Sequence, residues 1–114
     1  MLKMKLITTI AATILLSSTG AFAASAEKGR VAYGKNGCWQ CHGWEGQGGG
    51  NAGPRLARTQ LPLEALVAFV RGTNGPMPPY SKKVLSDEDL ADIYAFISAQ
   101  PAPPDPKTIP LLAR

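Results

Sequence analysis

One histidine and two cysteines are all that this 114-residue chain offers as imidazole or thiolate ligands. A structural zinc site takes four such ligands, so the chain cannot close one by itself. No cluster of Lys and Arg with interleaved aromatics is present, which removes a nucleic-acid surface from consideration. Six glycines fall within residues 43–53, yet no G-K-[ST] ending follows them and no strand precedes them, so they do not form a phosphate-cradling loop. There is no internal repeat, and no apolar run reaches the roughly 20 residues that a membrane-spanning helix needs.

The three scarce residues stand together as Cys38-Trp39-Gln40-Cys41-His42. C-x-x-C-H is the attachment pattern of a c-type haem. Two thiols three positions apart can add to the two vinyl groups of one porphyrin as thioethers. The imidazole next in the chain is then held beneath the iron as its proximal ligand. C-x-x-C alone also serves thioredoxin-like dithiols, but those need a βαβ context that this Gly-rich and Pro-rich chain lacks. The expected cofactor is one haem c, held through Cys38 and Cys41 and ligated by His42.

The first residues read as an export signal. Lys3 and Lys5 form a basic start, residues 6–16 are apolar apart from Thr8, Thr9 and Thr13, and Ala21-Phe22-Ala23 offers a small-x-small cleavage site. A second site, Ala24-Ser25-Ala26, would start the mature chain at Glu27, and an uncleaved anchor is the remaining alternative. The expected division is a signal peptide over 1–23, a domain over 24–100 and a Pro-rich extended tail over 101–114. Cleavage after Ala23 leaves one small domain with a marginal core of its own, which a buried haem would complete. It also removes two lysines, so ten basic and eight acidic residues remain, a balance of +2 that two haem propionates could cancel.

The pattern along the domain predicts a short helix from 26 to about 36, stopped by Gly37, that delivers the chain to Cys38. Residues 43–53 are too glycine-rich for regular structure and predict a loop whose backbone comes close to the haem. Leu61-Pro62-Leu63 begins a second helix with Pro at an early position, and Leu63, Leu66, Val67 and Val70 recur at helical spacing until Gly72. Ser86 followed by Asp87, Glu88 and Asp89 marks the start of the last helix, which runs to about Ala99 with Leu90, Ile93, Tyr94 and Ile97 on one side. Between these two helices, residues 73–80 are punctuated by Pro and Gly and present one notable side chain, Met77.

With His42 the only histidine, a second imidazole is excluded as the sixth ligand within one monomer. Met1 and Met4 belong to the leader, which leaves Met77 as the one methionine of the mature chain. His/Met ligation raises the reduction potential and closes the sixth position, as a carrier requires. Met77 could instead fill the core, as methionines often do, with Tyr80, a lysine or a vacancy at the iron.

Helix, C-x-x-C-H, Gly53-Pro54-Arg55-Leu56, a Met flanked by Pro and an aromatic-rich final helix together resemble the small class I c-type cytochromes across the mature chain. The resemblance implies an all-α fold of three to four short helices around one covalently bound haem. The first and last helices should cross, with Gly29 and Tyr33 meeting the Tyr94 and Phe96 region. It further implies that the Pro54 carbonyl accepts the second N–H of His42 and that Leu56 lines the haem pocket. Arg55, Arg71, Tyr80 and Trp44 are candidates for the propionates.

The function implied is one-electron transfer without substrate bonding. Haem attachment places such proteins outside the bacterial cytoplasmic membrane, so the address implied is the periplasm. Within the family, the loops and tail look like the cytochrome subunits of periplasmic dehydrogenases, such as cresol-oxidising flavoproteins and sulfite dehydrogenases. The partners implied are therefore a dehydrogenase and a downstream oxidase or cytochrome, with the chain a monomer or the subunit of a hetero-complex. Trp39 beside the thioethers would either anchor a partner or pack on the porphyrin. The alternative function is a small-ligand sensor or peroxidase-like enzyme with a displaceable Met77.

Overall fold

The computed structural model describes residues 23–49 and 52–112, so all of the expected signal peptide except Ala23 lies outside the described residues. Among the described residues the regular elements are helices alone: α1 Ala26–Lys35, α2 Trp39–His42, α3 Leu63–Gly72 and α4 Asp87–Ser98, followed by a single 3-10 turn, Pro106–Thr108. The domain is all-α.

Two of the four α-helices, α1 and α4, start where a serine hydroxyl satisfies a free N–H group. Ser25 Oγ accepts from the Lys28 N–H at 3.3 Å to cap α1, and Ser86 Oγ accepts from the Asp89 N–H at 3.0 Å to cap α4. Three acids in the first turn of α4 lie at the positive end of its dipole. Pro62 is the residue before α3 rather than a position inside it. The chain turns at Gly37 (φ 75°), where the Cys38 N–H returns to the Tyr33 carbonyl at 3.2 Å. The short helix α2 therefore begins at once after α1.

The core forms where α1 crosses α4. Tyr33 packs tilted on Phe96 with ring centroids 5.3 Å apart, and Leu90, Ile93 and Ile97 complete the buried face. The crossing is close because residue 29 is glycine: a Cβ there would overlap the Asp92 carbonyl. Gly29 and Tyr33 thus meet the Asp92, Ile93 and Phe96 stretch of α4, while Tyr94 in the same stretch donates its O–H to the Leu61 carbonyl at 2.9 Å. Val31 lies on the solvent side of α1, more than half exposed. Leu66 and Val70 of α3 join the core, while Leu63 and Val67 are half-buried. From 101 to 112 the tail is exposed apart from Ile109, and it is not wholly extended, because Asp105 caps the 3-10 turn through the Lys107 N–H.

Candidate functional site

Helices and the loops between them border a cavity of about 800 Å³, open to water, whose wall carries Cys38, Cys41, His42, Pro54, Leu56 and Met77 together. All six residues singled out from sequence thus share one space. Tyr33, Leu66, Val70, Leu85 and Ile93 add apolar wall that sequence reasoning had assigned only to helix faces or left unplaced. Helical periodicity was the signal available for most of them; Leu85 stands just before the α4 cap and carried none. Among the described residues, no Asp, Glu, Lys or Arg lines the cavity.

His42 is buried, and its Nδ1 lies 2.8 Å from the Pro54 carbonyl oxygen. A carbonyl only accepts, so Nδ1 carries the proton and Nε2 keeps its lone pair free for a metal. The peptide that holds Pro54 is brought there by close packing of the glycine-rich loop. A Cβ on Gly53 would lie 2.9 Å from His42 Nδ1 and 2.7 Å from the Cys41 carbonyl oxygen. The tight approach of this loop is therefore to the motif itself. Its ends are tied by the Gly48 N–H on the His42 carbonyl at 2.7 Å and by the Leu56 and Ala57 N–H groups on the Gly46 carbonyl. Tyr33 reaches across to donate its O–H to the Gly43 carbonyl at 2.7 Å.

The two cysteines are free and differ in setting: Cys41 is exposed, whereas Cys38 is half-buried and burial pushes its thiol up. Trp39 stacks on Trp44, with centroids 4.1 Å apart and planes 4° from parallel. Trp39 is thus a member of a surface aromatic pair. Of the four propionate candidates, only Tyr80 lines the cavity. Arg55 is exposed, Trp44 is committed to Trp39, and Arg71 donates to the Tyr80 carbonyl and to Asp87. Arg71 Nε is buried and has no hydrogen-bond partner among the described residues.

A family model described as cytochrome C oxidase, cbb3-type, subunit III, matches residues 24–97. The chain belongs to this family of class I c-type cytochrome domains. The description names an oxidase subunit and states only which domain is shared. No curated protein and no solved structure gives a match.

As a c-type cytochrome the chain is a haem c electron carrier with redox proteins as partners. The residues present fit that group. A largely apolar cavity, two thiols at C-x-x-C spacing and an imidazole with its tautomer already set all stand on one wall. Among the described residues no helix is long and apolar enough to cross a membrane.

Proposed function

We propose that this cytochrome is a single-haem periplasmic carrier that accepts electrons one at a time from a dehydrogenase and passes them to a respiratory oxidase or a further cytochrome. The observation that carries the reading is the shared cavity wall of Cys38, Cys41, His42 and Met77. Haem c supplies an iron that alternates between Fe(III) and Fe(II). Cys38 and Cys41 would hold it, each S–H adding across a vinyl C=C with no net oxidation. His42 would ligate through Nε2, oriented by its Nδ1–H on the Pro54 carbonyl. Met77 would close the sixth position, and Leu56 with the apolar wall would exclude water and keep the charge change in a medium that reorganises little.

Export is supported by the leader pattern and by the chemistry of attachment. Of the two cleavage sites, the one after Ala23 is favoured by Ser25. Its hydroxyl caps α1 and its N–H donates to Asp92 Oδ1 at 2.6 Å, and a chain starting at Glu27 would lose both contacts. Docking of partners is supported at the exposed Cys41 and the neighbouring Trp39 and Trp44 pair, an aromatic surface of the kind interfaces favour.

Redox titration of the purified holoprotein should give a one-electron transition, and the reduced protein should not take up carbon monoxide at neutral pH. Met77→Ala should bind carbon monoxide and show a lower potential. Uptake of carbon monoxide by the wild-type protein would overturn the carrier reading in favour of a ligand-binding haem.

A further inference from the structure

Residues 73–80 leave α3 at Thr73 and rejoin the core at Tyr80. Pro76, Pro78 and Pro79 have no N–H to give, and Met77 stands among them, half-buried on the cavity wall. The position of Met77 therefore depends on how the segment is tied at its ends. The downstream tie is Tyr80, whose three polar groups are all engaged. Its N–H donates to the Val70 carbonyl at 3.0 Å, its O–H to the Asn36 carbonyl at 2.9 Å, and its carbonyl accepts from Arg71 Nη1 at 2.8 Å.

The other arm of the same guanidinium, Nη2, donates to Asp87 Oδ1 at 2.7 Å, at the first residue of α4. Lys82 Nζ holds the second carboxylate oxygen at 2.7 Å. The Arg71 side chain is only 17% exposed. One planar group thus joins the end of α3, the end of the Met77 segment and the start of α4. A lysine could not span both acceptors, because an ammonium is a point charge without a fixed fork.

We propose that Arg71, held by Asp87, is a positioning residue for the Met77 thioether, a lock that sets how readily Met77 yields the sixth position to an outside ligand. The proposal rests on the reading of Met77 as iron ligand. Losing the lock costs a charge-assisted hydrogen bond, so the fraction of molecules with Met77 displaced should rise on the order of tenfold.

The test follows imidazole binding to the ferric holoprotein by stopped-flow absorbance, at a temperature far below each variant's unfolding midpoint. Wild type, Arg71→Lys, Asp87→Asn and Met77→Ala are compared, with Arg30→Lys, in the exposed Arg30 and Glu27 pair on α1, as a control of equal chemistry elsewhere. Arg71→Lys should bind imidazole about tenfold faster than wild type and Asp87→Asn by a smaller factor, with Arg30→Lys unchanged. Wild-type rates in both Arg71→Lys and Asp87→Asn would overturn the proposal and leave Arg71 a purely structural residue. If Arg71→Lys yields no holoprotein, Asp87→Asn decides alone. A wild-type protein that binds imidazole as fast as Met77→Ala would show that Met77 is not the ligand, which removes the parent reading and the lock with it.

Discussion

At Gly29 a hydrogen occupies the place where any other residue would put its β-carbon, and that carbon would overlap the Asp92 carbonyl. Gly29→Ala must push α1 away from α4, and a loss of about 1–3 kcal/mol or more in stability is expected from urea unfolding of the holoprotein. An unchanged midpoint would mean that the crossing adjusts freely. Tyr33→Phe removes the O–H that donates to the Gly43 carbonyl and should cost about 1–2 kcal/mol in the same measurement. Burial raises the Tyr33 phenol well above the usual range, so the phenol stays neutral and this loss should not vary between pH 5 and 9. The pairing of Gly29 with Tyr33 four residues on was legible in the sequence. That the glycine faces Asp92 and Ile93, and that Tyr94 turns away to Leu61, depends on the crossing of two helices more than fifty residues apart along the chain.

Between α3 and α4 the chain relies on side chains because its backbone there is rich in proline. Hydrogen bonds from Lys82 and Arg71 hold the Asp87 carboxyl below the usual carboxylate range. A group whose folded pKa is lowered adds stability above its unfolded pKa, near 3.9, and that stability is lost as pH falls through the folded value. Asp87→Asn should therefore lower Tm at pH 7, with the gap to wild type closing below about pH 4. Melts recorded from pH 7 to 3 check this, and a gap that stays constant would show that the ion pairs add nothing. At this scale the sequence was informative about ends. Gly37 marks the turn after α1, and Ser86 marks the start of α4. It was silent about α2, since four residues are too few to show a period.

For the molecule as a whole, the cavity is the largest fact. An enclosed apolar void costs about 24 cal/mol per Å³, so about 800 Å³ left unfilled would cost up to roughly 20 kcal/mol, an upper bound because this cavity opens to water. Even a fraction of that is comparable with the 5–15 kcal/mol a domain has available, so filling the cavity and folding are coupled. Cys38→Ala with Cys41→Ala, which abolishes attachment, should give a chain without cooperative thermal unfolding by far-UV circular dichroism. A sharp transition in that variant would show that the helices pack without the haem. Deleting residues 101–114 should leave stability within about 0.5 kcal/mol, as the tail from 101 to 112 is exposed apart from Ile109. A larger drop in the urea midpoint would reveal packing of the tail on the domain.

The chemistry of attachment is written locally: two cysteines and a histidine within five consecutive residues need no fold to be recognised. Helix positions are nearly as local, because caps and periodicity act over one or two turns. Scarcity supplied the rest, since one histidine and, beyond residue 23, one methionine leave few choices of ligand. What only the tertiary structure decided are contacts between segments distant in the chain: Tyr94 on Leu61 across 33 residues, Arg71 on Asp87 across 16, and Tyr80 on Asn36 across 44. Glycine-rich and proline-rich loops have no repeat from which direction can be read. Their course is set by the packing of α1, α3 and α4, which decides where each loop must start and end.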